Sequence, residues 1–284
     1  MSFLIGCAIW AYKGWLGDFF PSGSPPSKFL RLYSQRFKTV ECNATFYSVP
    51  SPKTLARWVQ ETPAGFEFCP KLPHSITHQG DLQDKIGEAL SFIDLMQGLG
   101  DRLGPLFAQL PPQYGPQCLP DLAVFLKAIQ AGGVPLALEV RHPDWFGSPH
   151  AEELAELLQS LQIGRVLLDS RPMYQVPDQP QLTSERPKPK VPLQPMVTAP
   201  FSVIRYISHP QLEVNQDFLQ DWVRDVEQWL QHGIRIYFFV HCPVEEHSPR
   251  NAQYFYHLLQ EQSVGLPPLP WDQITTSPTQ LSLF

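Results

Sequence analysis

The sequence lacks the short motifs that most often name a reaction. It holds no GxxxxGK[ST] phosphate loop, no GxGxxG after a strand, no HExxH and no GxSxG, so the chemistries those motifs serve have no warrant here. Paired cysteines are lacking too. Cys7, Cys42, Cys69, Cys118 and Cys242 are odd in number, widely spaced and without a CxxC, which argues against a disulfide framework or a zinc ribbon. They read as small buried hydrophobes in a reducing compartment. No apolar run approaches the roughly 18 residues that cross a bilayer, and no basic segment precedes a hydrophobic one at the N-terminus. The expectation is a cytoplasmic protein with no membrane association. Positive charge is also in short supply. A net charge of −6 provides no basic face for non-specific nucleic-acid binding, although a local basic pocket is compatible with it.

Proline is what the chain has in excess. Its 31 copies in 284 residues are about twice the usual share of roughly 5%. Hydrophobic residues at 43% against 17% charged supply a large core and argue against bulk disorder. The length suits one β/α barrel, which typically runs to about 250 residues.

Short apolar runs rich in β-branched and aromatic residues alternate with segments of helical period, the pattern of a parallel sheet. Strands are expected at Phe3–Ala8, Lys38–Asn43, Phe66–Lys71, Leu106–Leu110, Pro135–Arg141, Arg165–Asp169, Ser202–Tyr206 and Arg235–His241. Ser51-Pro52 and Ser148-Pro149 each read as an N-cap followed by proline in the first turn. Gly164 and Gly233 read as helix stops. The expected fold is therefore a (β/α)8 TIM barrel over residues 1–262, followed by a proline-rich tail over 263–284. Its sixth helix is expected to be replaced, because eight prolines from Pro172 to Pro200 turn residues 170–200 into an extended loop.

A strand alternates faces, so each barrel strand turns one row toward the helices and one toward the axis. In Leu136-Ala-Leu-Glu-Val-Arg141 the apolar row suits the helices, which leaves Glu139 and Arg141 on the axis. The same reasoning places Thr39, Glu41 and Asn43 there, with Cys69, Lys71, Gln109, Asp169, Arg205, Tyr237 and His241. Buried ions cost several kcal/mol each unless compensated, so a purely structural network of ion pairs is the reading to beat. Active sites of barrel enzymes lie at this C-terminal face, which favours function.

Glu41, Glu139 and Asp169 are the candidate acids and bases, and Lys71, Arg141 and Arg205 suit a bound anion. Asn43, Gln109 and His241 complete the polar set. Trp10, Tyr12, Trp15, Phe46, Tyr47 and Trp145 read as aromatics of the rim. His74 and His78 match no metal spacing and read as solvated loop residues. No metal site and no cofactor are expected. Three cations would repel a multinuclear cluster, leaving room for at most one weakly held divalent metal. The expected partner is a small molecule, with nucleic acid less favoured, and nothing indicates an oligomeric state.

Several blocks carry a resemblance. They are Gly6-Cys-Ala-Ile-Trp10-Ala-Tyr12 with Trp15, Thr39-Val-Glu41-Cys-Asn43-Ala-Thr45-Phe-Tyr47, and Phe66-Glu-Phe68 with Lys71. Ile76-Thr-His78, Gln109-Leu-Pro-Pro112, Leu138-Glu139-Val-Arg141-His-Pro with Trp145, Asp169, Arg205 and Asn251-Ala252 extend them across most of the chain. Together they resemble the YecE-like family, a domain of unknown function. The resemblance implies a TIM barrel and no particular activity. This chain departs from that pattern at Arg205-Tyr-Ile207-Ser, where an Arg-x-His-Gly is expected, and around His241-Cys242, where a pair of asparagines is expected.

Three functional readings follow. The first is an enzyme using acid–base chemistry on a small anionic or hydroxylated substrate. The second is a nucleic-acid phosphodiesterase of repair type, by analogy with apurinic endonucleases on the same fold, which is weak support by itself. The third is a barrel that kept the pocket and binds a ligand without catalysis. Hydrolase, lyase and isomerase chemistry are not separated by the sequence.

Overall fold

In the computed structural model, which describes residues 2–176, 189–262 and 264–274, the apolar runs form eight parallel strands. They are β1 (Phe3–Cys7), β2 (Thr39–Cys42), β3 (Glu67–Pro70), β4 (Leu106–Gln109), β5 (Leu136–Glu139), β6 (Gly164–Asp169), β7 (Phe201–Ile207) and β8 (Arg235–His241). Regular ladders join β4 through β8 in order and β8 to β1. β2 pairs with β3 in a separate two-stranded ladder. Isolated bridges at Phe68–Leu103 and Lys71–Phe107 carry β3 onto β4.

The last seam, between β1 and β2, is closed by side chains. The Cys7 N–H donates to the Tyr33 hydroxyl at 2.7 Å, and that hydroxyl lies 3.0 Å from the Thr39 carbonyl. Asn43 Nδ2 adds a 3.3 Å bond to the Ala8 carbonyl. Gly6 is needed here, since a Cβ at this position would sit 2.1 Å from the Thr39 oxygen.

The helices are α1 (Phe29–Ser34), α2 (Ala44–Tyr47), α3 (Pro52–Glu61), α4 (His74–Thr77), α5 (Ile86–Met96), α6 (Leu119–Gln130), α7 (His150–Leu161), α8 (Arg171–Tyr174), α9 (Leu212–Gln231) and α10 (Ser248–Glu261). Ser51 caps α3 as expected, accepting the Thr54 N–H at 3.2 Å. Ser148 does not cap α7. That helix begins at His150 with Pro149 in the cap position, and Glu152 and Glu153 complement its positive end instead. Gly164 is not its stop either. Gln162 takes the left-handed conformation (φ 54°), and Gly164 opens β6, where a Cβ would meet the Phe201 ring at 2.7 Å. Gly233 follows α9 with φ 78°, as a helix stop should.

After β6 the described chain forms only the single turn α8 before the proline-rich stretch. Residues 177–188 of the expected loop and 275–284 of the expected tail lie outside the described residues. The segment 264–274 runs along the outside of the barrel, where Trp271 packs on Phe19 and Phe37 at 4.9 and 5.8 Å between ring centres. All five cysteines are unpaired, and all except Cys118 are buried.

Two apolar layers flank the strands. The outer one joins helices to strands through residues such as Val40, Phe68, Leu138, Ile204 and Phe238. The inner one fills the barrel with Leu4, Cys69, Phe107, Ala137, Val166, Val203, Tyr237 and Phe239. Above this inner layer, toward the C-terminal ends of the strands, the filling turns polar.

Candidate functional site

Each inward row that ends in a polar residue delivers it to the same place. Arg205 on β7 is the hub. Its Nε and Nη2 meet the two oxygens of Glu41 on β2 at 2.8 and 2.9 Å, a bidentate pair. Its Nη1 reaches Glu139 on β5 at 2.5 Å. Arg141 Nε binds the other Glu139 oxygen at 2.6 Å, and Arg141 Nη2 binds Gln109 Oε1 at 2.6 Å. Lys71 Nζ donates to that same Gln109 oxygen at 2.8 Å. His241 Nε2 lies 2.9 Å from Glu41. Glu41, Glu139, Gln109, Lys71, Arg205 and His241 are all buried, while the Arg141 side chain is 18% exposed.

The electrostatics follow from this wiring. Burial pushes the Glu41 and Glu139 carboxyls up, but their cations outweigh it. Arg205 and His241 hold Glu41 well below the usual carboxylate range, and Arg141, Arg205 and Lys71 hold Glu139 at about 2. Both are therefore ionised at neutral pH and poorly suited to donate a proton. Lys71 moves the other way. Burial, then the Arg205 charge, lower it to about 7. Among the described residues no carboxylate forms an ion pair with Lys71, and its Nζ sits 3.7 Å over the face of Phe46. Thr45 fixes the backbone beneath it, its hydroxyl accepting the Lys71 N–H at 3.0 Å.

Two expected site residues lie elsewhere. Asp169 faces the helices: its oxygens bind Arg171 at 2.9–3.0 Å and the Trp222 indole of α9 at 2.8 Å. The reason is visible in β6, where Val166-Leu167-Leu168 is apolar on both faces and gives no alternation to read. Trp145 is fully buried in the outer core, its indole donating to the Tyr114 carbonyl at 2.8 Å. An aromatic just past a strand end packs a core as readily as it lines a rim.

Trp10, Tyr12, Phe46 and Tyr47 gather at the mouth, whereas Trp15, expected there too, is buried in the outer core against Phe19, Phe20 and Tyr33. Trp10 and Tyr47 line a cavity of about 310 Å³ with Glu41, Asn43 and Ala44. Tyr47 is the most exposed of them, at 71%. Tyr12 donates to Glu246 at 2.6 Å, while Trp15 is buried beneath, its indole held by the Glu245 carbonyl. A larger groove of about 560 Å³ lies at the opposite end of the barrel, beside Pro270 and Ile274. Among the described residues, Lys38 is the one ionisable residue lining it.

His74 and His78 are the residues sequence reasoning missed. Their rings stack at 4.7 Å and both meet the edge of Phe46. Burial, His74, Lys71 and Arg141 lower His78 to about 4, so it is neutral beside the cations. Its place in the Ile76-Thr-His78 block, just past β3, was the available signal. Among the described residues no three of His, Cys, Asp and Glu are grouped as metal ligands would be, and no helix is long and apolar enough to cross a membrane.

Residues 4–274 match the family model described as Protein of unknown function DUF72. The chain belongs to this family. It is 31% identical to the UPF0759 protein YecE of Escherichia coli K12 over 99% of both chains. It is 30% identical to the UPF0759 protein YunF of Bacillus subtilis over 52% of this chain and 55% of that one. Crystal structures of DUF72 proteins share the fold. One from Enterococcus faecalis has a TM-score of 0.69 at 18% identity, covering 99% of this chain and all of that one. One from Thermotoga maritima has 0.67 at 21%, covering 92% and 100%. The Thr39–Tyr47 block, prominent in the family resemblance, is the segment that brings Glu41, Asn43, Thr45, Phe46 and Tyr47 to the site. Ile207, at the departure from the family pattern, is buried against Leu168 and Met173.

Proposed function

We propose that this DUF72 protein is an enzyme that binds a small anionic, hydroxylated or carbonyl-bearing molecule at the C-terminal face, with Lys71 as its proton-transferring group. The observation that carries this reading is the charge balance. Arg205 and Arg141 already satisfy both carboxylates, so Lys71, which titrates about 7, has no carboxylate of its own and becomes an uncompensated cation whenever it takes up a proton. A stability-driven network would close its charges, because an uncompensated buried ion costs several kcal/mol. Arg141, the member most open to solvent, offers the entry point and the first contact for an anion.

The division of labour follows from protonation. Glu41 and Glu139 stay ionised and orient Arg205 and Arg141. Lys71, poised near neutrality, exchanges a proton at working pH, the condition for efficient general acid–base catalysis. Trp10 and Tyr47 would receive the uncharged part of the ligand.

The test is a thermal-shift titration with inorganic phosphate, short carboxylates and sugar phosphates, with sodium chloride matched for ionic strength. A ligand that binds only the folded state stabilises it in proportion to the logarithm of its saturation. At least one anion is expected to raise the Tm saturably, and Arg141→Gln to abolish that rise while the exposed-site control Lys53→Gln keeps it. No anion-specific rise in the native protein would sink the reading.

A further inference from the structure

One side-chain oxygen ties the buried amine of Lys71 to the partly exposed guanidinium of Arg141. Gln109 Oε1 accepts from Lys71 Nζ at 2.8 Å and from Arg141 Nη2 at 2.6 Å. The amine and the guanidinium are therefore at most two hydrogen-bond lengths apart. Arg141 spends Nε on Glu139 and Nη2 on Gln109, and its Nη1 has no hydrogen-bond partner among the described residues. Lys71 is covered on one side by the Phe46 ring, and Arg141, whose side chain is 18% exposed, is its partner nearest to solvent. A ligand anchored at Arg141 thus presents its neighbouring atom to Lys71.

Resting on the anion-pocket reading above, we propose that Lys71 is a nucleophile that forms an imine with short oxo acids, whose carboxylate Arg141 holds. The separation selects the class: the carbonyl carbon must lie one or two bonds from the carboxylate. In the step itself, the neutral Lys71 amine attacks the carbonyl carbon. A C–N bond forms as the C=O pair moves to oxygen, and a proton passes from nitrogen to that oxygen. A second proton, taken from solvent, lets that hydroxyl leave as water when the nitrogen lone pair expels it. The resulting iminium nitrogen returns one proton to solvent, so amine plus carbonyl gives imine plus water, with no oxidant or reductant. Burial supports the neutral amine that this needs, since few water molecules reach Nζ to solvate its charge.

The charged and titratable groups around the amine are Glu41 on β2, Glu139 and Arg141 at the end of β5, Arg205 on β7, and His78 after α4. The two carboxylates are spent on the two guanidinia, and His78 is neutral. Lys71 therefore titrates about 7.

The experiment treats the full-length protein at pH 7.5 with pyruvate and sodium borohydride, then locates adducts by peptide mass mapping. Acetone serves as the carbonyl without an anion, and acetate as the anion without a carbonyl. The expected result is one reduced adduct at Lys71, at least tenfold above acetone, suppressed by acetate and half-maximal near pH 7. Arg141→Gln is expected to lower its yield at least tenfold, and Lys71→Met to remove it. The map of the native protein locates the adduct even if a variant fails to fold. Adducts spread evenly over the other lysines would overturn the proposal. So would no adduct while acetate and pyruvate both raise the Tm, an outcome that leaves the anion pocket standing. No adduct and no rise in Tm would remove both.

Discussion

Two arginine–carboxylate constellations sit at the same end of this barrel, on opposite sides of its wall. The outer one joins Arg171 to Asp169 and Asp221, with the Trp222 indole on Asp169. With Arg224 3.7 Å from Asp221 it has two cations for two carboxylates, and it ties the start of the loop after β6 to α9. The inner one has two carboxylates against Lys71, Arg141 and Arg205, with every member except Arg141 buried. The outer cluster reads as a clamp, its charged groups occupied by each other. In the inner cluster the carboxylates are used up by the two guanidinia, and the Lys71 amine is left without one. The same residue types therefore do different work, and charge stoichiometry and exposure separate the cases more sharply than composition does.

That contrast can be broken at either cluster. The largest effect is expected for Glu139→Ala, which strips Arg205 and Arg141 of a shared partner inside the barrel. Urea unfolding should show a loss of about 3–5 kcal/mol, the cost of leaving a buried pair half made. Asp169→Asn should cost less, about 1–3 kcal/mol, because the Arg171 side chain is 22% exposed and can turn to water. A larger loss at Asp169 than at Glu139 would reverse the assignment of clamp and site.

The smallest effect sharpens the comparison through pH. Lys71 titrates about 7 in the fold against 10.5 in the unfolded chain, so between those values the unfolded chain binds more protons. Stability should then rise with pH across that window, by no more than about 1.4 kcal/mol per unit. Urea midpoints from pH 7 to 9 would measure the slope, and Lys71→Met should flatten it where Asp169→Asn leaves it intact. An unchanged slope in Lys71→Met would mean that the amine is not the titrating group.

Much of this architecture is legible in the residue pattern alone. All eight strands fall within a residue or two of their expected places, and Arg235–His241 coincides with β8. Alternation was enough to find the inward rows of β2, β5 and β8, where polar and apolar residues trade places. It failed on β6 because Leu167 and Leu168 are equally apolar, so parity had nothing to act on and Asp169 was put on the wrong side. Trp145 was misplaced for a different reason: its chemistry fits a core and a rim alike, and only packing decides. His78 escaped because its contact with the cluster runs through Phe46 of α2, a relation that no local spacing encodes. The protonation states were likewise out of reach, since they depend on distances between side chains from five strands.

The phenol of Tyr33 has a consequence for the order in which the molecule assembles. Elsewhere, β1 and β2 each have a partner strand whose backbone can zip against theirs. Their own junction is made through a side chain that belongs to α1. The barrel therefore cannot shut until that helix has docked, and the final closure of the cylinder is an event between layers rather than along a ladder. The Cys7 amide, protected by a hydroxyl instead of a strand, should report that moment in hydrogen exchange.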